Sequence, residues 1–162
     1  MCRTALISFF VAMLCAWASV CLQQAAAAPK AGSDPIIGLW YTEGHEGGVE
    51  LYSCGDKICG KFYWVNQRPG EGIAKDDHNP DLTKRHRLLC HMQFMGDFIA
   101  DGHGHYEDGW IYSPRHGQNF EAEMTLVGPD TLDLHGFVLT PIFGESQTWT
   151  RTKTMPNCKD AS

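Results

Sequence analysis

His103-Gly104-His105 is the tightest pair of metal-type side chains in the sequence. Residues i and i+2 of a strand share a face. With His91 on a neighbouring strand, three imidazoles would meet as a zinc or copper site. Against that stands the composition of Asp101-Gly102-His103-Gly104, which reads as a hairpin tip, where polar residues collect without a ligand to hold. Asp77-x-Asn79-x-Asp81 imitates the first three positions of a calcium loop. Leu82 and Leu88 then occupy the positions where that loop needs glycine and glutamate, and Pro80 interrupts it. An Asx-capped turn is the better reading, with Asn79 as N-cap and Pro80 opening a short helix. Ser146 in Gly144-Glu145-Ser146-Gln147-Thr148 lacks the nucleophile-elbow pattern. Asp97, Glu107 and Asp108 read as loop and strand-edge charges rather than a paired acid and base. No phosphate loop, dinucleotide fingerprint or zinc-protease helix occurs. Neither metal nor cofactor is expected, no catalytic residue is assigned, and a binding protein is favoured over an enzyme.

The cysteines must be placed by compartment. Arg3 followed by an uncharged apolar run from Ala5 to Leu22, then Ala25-Ala26-Ala27, makes a secretory signal peptide over residues 1–27. A membrane anchor is the rival, since the run is almost long enough to span. The small-residue exit favours cleavage, and Val20 before Cys21 argues against lipidation. Removal of Arg3 takes the net charge from −6 to −7, and an acidic domain without a basic run is a poor nucleic-acid binder. The mature chain is expected to be a soluble, monomeric, periplasmic or secreted protein with no stable membrane insertion. Of seven cysteines, Cys54, Cys59, Cys90 and Cys158 survive cleavage. A two-residue turn at Asp56-Lys57 would make Cys54 and Cys59 a non-hydrogen-bonded pair across a hairpin, close enough for a disulfide.

The mature chain reads as short strands between turn clusters. Phe120 to Leu126 alternates apolar and polar, and Leu132-Asp133-Leu134-His135 does so after Gly128-Pro129-Asp130. Val49-Glu50-Leu51 and Ile58 to Val65 form the arms of the stapled hairpin, with further strands at 36–43, 91–99, 105–113 and 144–152. The expectation is all-β: an eight-stranded antiparallel up-and-down barrel over 36–152, after a linker at 28–35 and before a tail at 153–162. A two-sheet sandwich is the alternative. The long connection 67–87 holds the short helix and reads as a lid, hinged at Gly70 and Gly72.

Gly38-Leu39-Trp40 on the first strand and Trp149-Thr150-Arg151 on the last are similar to the end-closing pair of lipocalin-like (calycin) barrels, in which the arginine packs over the tryptophan. The chain more widely resembles the exported bacterial family known as domain of unknown function (DUF) 2147. Matching segments are Gly38-Leu39-Trp40, Cys54-Gly55 with Cys59-Gly60, Asp77-x-Asn79-Pro80-Asp81 and Leu89-Cys90. They continue with Gly109-Trp110-Ile111-Tyr112-x-Pro114 and Gln147-Thr148-Trp149-Thr150-Arg151. The chain departs from that pattern at Ser113, Leu88 and His91, where an acid, a proline and a glycine are usual. The resemblance implies a lipocalin-like barrel and no established activity.

An eight-stranded barrel is either filled by its side chains or holds one small ligand. The expected partner is a small apolar or amphipathic molecule, fatty acids being the first class by resemblance to other calycins. The expected wall is Trp40, Phe62, Trp64, Trp110, Tyr112 and Phe120, with Gln147 and Arg151 at the closed end for a polar group. A filled barrel that meets an envelope protein is the alternative, and a metal carrier or enzyme the third.

Overall fold

The computed structural model of the chain describes residues 34–67 and 72–158. The expected leader, Gly70 and the last residues of the tail lie outside them. Eight strands run in sequence order: β1 (Gly38–Tyr41), β2 (Gly47–Cys54), β3 (Lys57–Val65), β4 (Gln93–Ala100), β5 (His105–Ser113), β6 (Gln118–Gly128), β7 (Thr131–Val138) and β8 (Thr140–Thr152). Each pairs antiparallel with the next, and β1 pairs with β8 to close a barrel. Among the described residues no helix is long and apolar enough to cross a membrane.

The period-two alternation determines which side chains point inward. On β6 and β7 the apolar positions Ala122, Met124, Leu132 and Leu134 are buried. At one end of the barrel they meet Trp40, Leu51, Met95 and Phe98, each fully buried. That end is filled. Tyr106 joins it, donating its hydroxyl to Asp34 Oδ1 at 2.5 Å. Burial, followed by the bond to Asp34, pushes its ionisation well above the usual range.

Cys54 and Cys59 form a disulfide with Cα atoms 5.9 Å apart, but the hairpin differs from the expected one. Cys54 pairs with Lys57 and Tyr52 with Cys59, so the turn is Gly55-Asp56 and the bridge runs diagonally. Gly55 explains the difference. Its φ of +82° supplies the left-handed position a tight hairpin turn needs at its first central residue, which Asp56 would take only under strain.

The helix expected after Asn79 is also corrected. Among its described residues, the connection between β3 and β4 holds one 3-10 turn, Leu82–Lys84, capped by Asp81, which accepts from Thr83 N. Asn79 instead accepts from Asp81 N at 2.9 Å and turns its amide inward. A second 3-10 turn, Glu43–His45, joins β1 to β2.

Candidate functional site

The half of the barrel opposite the filled end is hollow. The cavity has a volume of about 680 Å³. Its inner wall is aromatic and aliphatic: Phe62, Phe94, Ile111, Phe120, Leu134 and Trp149. Phe62 and Phe94 stack with centroids 3.9 Å apart. The mouth lies between three connections, the 3-10 turn at Glu43, the β5–β6 turn at Pro114 to His116, and the β7–β8 turn. Polar side chains gather there: Glu43, Glu46, Arg115, His116 and Glu145. Arg115 spans two of these connections with a 3.0 Å ion pair to Glu46. The β7–β8 turn adds an apolar lip, where Leu139 and Ile142 are each 86% exposed and Phe143 is 73% exposed.

The six aromatic side chains expected on the wall, and Gln147 and Arg151 expected at the closed end, do not share one environment. Phe62, Tyr112, Phe120 and Gln147 line the cavity. Gln147 Oε1 accepts from Trp149 Nε1 at 3.0 Å. Trp40 and Arg151 lie at the filled end, the guanidinium 4.1 Å over the indole. Arg151 also donates to the backbone carbonyls of Ile37 and Pro129, at 3.0 and 2.8 Å, and to that of Pro35. Trp110 lies away from the cavity and donates to Asp97 Oδ2 at 2.8 Å. Trp64 packs edge-on against Tyr41. It borders a separate hollow of about 240 Å³, together with Cys90 and Cys158. Phe94, Phe137, Phe143 and the acidic residues of the mouth line the cavity in addition to the expected residues.

The long connection is tied down along the part that follows Ala74. Asp76 is fully buried and accepts from Tyr112 Oη at 2.6 Å, Asn79 Nδ2 at 2.7 Å and Arg87 at 2.6 Å. Burial alone would raise its pKa, but these three hydrogen bonds and the Arg87 charge outweigh it and hold the carboxyl below its usual range. Burial and then Asp76 push the Tyr112 phenol up to about 12. Asn79 reaches Tyr112 as well, at 3.0 Å. The Asp-x-Asn-Pro-Asp segment thus anchors the connection to β5. None of residues 72–87 lines the cavity, and residues 68–71 of the expected lid lie outside the described residues.

The other chemistry-bearing residues go elsewhere. His105 Nδ1 meets Thr125 Oγ1 at 3.1 Å, and Asp101 Oδ1 accepts from the backbone N–H groups of His103 and His105. Among the described residues no three His, Cys, Asp or Glu side chains are grouped to hold a metal ion. Ser146 does have a histidine partner: His135 Nδ1 lies 2.8 Å from its Oγ, and Nε2 bonds the carbonyl of Pro141 at 2.7 Å. Neither residue lines the cavity.

Over residues 38–151 the chain matches the family described as "Uncharacterized protein conserved in bacteria (DUF2147)". Its fold is similar to that of protein HP1028 from the human pathogen Helicobacter pylori, described as belonging to the lipocalin family. The TM-score is 0.64 at 21% identity, covering 72% of this chain and 82% of that one. No curated protein matches the chain.

Proposed function

Since the chain belongs to the bacterial DUF2147 family and folds as a lipocalin-like barrel, we propose that it is an exported, monomeric carrier of one small amphipathic molecule. The observation that carries this reading is the half-hollow barrel. Its cavity of about 680 Å³ falls inside the ~300–1,000 Å³ typical of small-molecule sites. A mostly apolar wall with a few convergent polar groups is the usual form of such a site. The proposed contacts are Phe62, Phe94, Phe120 and Trp149 for the apolar body, with the mouth residues for the polar end and the Gln147 amide near the floor. The filled-barrel alternative describes the Trp40 end alone. Export is supported by the leader-like N-terminus and by the Cys54–Cys59 disulfide, which persists in oxidising compartments.

Native mass spectrometry of protein purified without detergent should reveal a bound adduct. Titration with amphiphiles should change the fluorescence of Trp149, which lines the cavity. No adduct, and no amphiphile binding below about 100 μM (~5.5 kcal/mol), would overturn the reading.

A further inference from the structure

The charges around the cavity are lopsided. Its wall carries three carboxylates, Glu43, Glu46 and Glu145, against one arginine, Arg115, and the imidazole of His116. Arg115 is taken by Glu46 at 3.0 Å, and His116 is bonded to Ser113 at 3.0 Å. Glu43 and Glu145 have no cationic partner among the described residues. They sit on neighbouring elements, because the 3-10 turn carrying Glu43 packs against β8, which carries Glu145.

An anionic head group fares badly at both ends of this cavity. Near the floor it would meet the Gln147 amide but no cation. Arg151 does not line the cavity: its guanidinium is stacked on Trp40 at the filled end, with three of its five N–H groups bonded to the Ile37, Pro35 and Pro129 carbonyls. A carboxylate taken out of water without a partner charge bears the full desolvation cost. At the mouth it would share Arg115 with Glu46, so that one guanidinium would face three carboxylates and a fourth. An ammonium head at the mouth instead finds Glu43 and Glu145 open while its chain lies along Phe62, Phe94 and Phe120.

We infer that the cavity selects amphiphiles with a cationic, N–H-bearing head over those with a carboxylate, which reverses the fatty-acid expectation drawn from other calycins. This inference rests on the reading of the cavity as an amphiphile site, and the test separates the two. The full mature protein is titrated with decylamine, decanol and decanoate at pH 7 and about 20 mM salt, where exposed charges are weakly screened. All three share one chain length, and the amine is protonated. Decylamine should bind at least about tenfold more tightly than decanoate, a modest demand on one carboxylate–ammonium contact, with decanol between them. Glu145→Gln should shrink the decylamine-to-decanol affinity ratio several-fold, with circular dichroism confirming the fold. If decanol binds and decanoate equals or exceeds decylamine, the head-group inference is wrong and the amphiphile site stands. If none of the three binds, both fall.

Discussion

The guanidinium of Arg151 lies 4.1 Å over the indole of Trp40, and through it the last strand is joined to the first. Trp40 Nε1 donates to Ile36 O at 2.8 Å, while Arg151 covers the ring and reaches carbonyls on two segments. The barrel end is thus closed by one charge that satisfies backbone acceptors instead of facing a ligand. Arg151→Ala should lower unfolding free energy by roughly 1–3 kcal/mol, through lost hydrogen bonds and cation–π contact. Urea unfolding measures it. An unchanged midpoint accompanied by lost amphiphile affinity would move Arg151 into the binding site.

The Cys54–Cys59 bridge closes a very short loop, so its effect on the unfolded chain is small, about 2 kcal/mol at most. Its stronger role is to pin the diagonal pairing of Cys54 with Cys59, since a one-residue slip would turn every side chain of the hairpin to the wrong face. Peptide mapping without reductant should recover both cysteines in one cross-linked fragment. Cys54→Ser with Cys59→Ser should leave a folded barrel of slightly lower melting temperature; collapse of the fold would give the bridge a larger role than loop closure allows.

Strand number and the Trp40–Arg151 closure were legible because each rests on local pattern: clean alternation at Phe120 to Leu126, and two aromatic–basic ends. Wall membership was not, because bulges break the parity that pattern reading assumes. On β3, Gly48 faces Trp64 while Val49 faces Phe62. Tyr63 is therefore an extra residue, and Trp64 leaves the face that Phe62 occupies. On β5 the register slips between Tyr106 and Gly109, with Asp108 at φ +58°. Ile111 then points to the cavity, and Trp110 turns to Asp97 instead. Phe143 is hidden for a simpler reason: β8 begins at Thr140, ahead of the alternation that starts near Gly144.

Asp76 links the long connection to pH. Its folded pKa is lowered, so its stabilising effect is complete above the ordinary aspartate value and fades as pH falls through the folded one. The expected loss therefore lies in acid, below about pH 4. Tyr112 acts in the opposite sense. Its pKa is raised to about 12, so the stability it confers is present below about pH 10 and declines as pH climbs towards that raised value. Thermal melts of wild type and Asp76→Asn from pH 2.5 to 7 should converge at the acid end. Asp76→Ala, which strands Tyr112, Asn79 and Arg87, should cost on the order of 3 kcal/mol at pH 7. A pH-independent gap between wild type and Asp76→Asn would show that the carboxylate charge is not what holds the connection.

The cavity can be filled without disturbing the barrel, and Gly136 is the place to do it. It lines the cavity on β7, and a Cβ there would meet Ile111 Cγ2 at 3.6 Å, an ordinary contact. Gly109 offers the contrast, because a Cβ would fall 2.2 Å from the ring of Phe98. Gly109→Ala should therefore overpack the filled end and destabilise by about 1–3 kcal/mol. In Gly136→Leu the added side chain enters free space, and replacing a strand glycine recovers backbone entropy of roughly 0.5–1 kcal/mol. Its melting temperature should hold or rise while decanol affinity drops by about tenfold or more, through lost apolar contact along the chain. Calorimetric titration beside a thermal melt reads both quantities on one sample. Full decanol affinity in a stable Gly136→Leu protein would place the amphiphile outside the hollow half of the barrel.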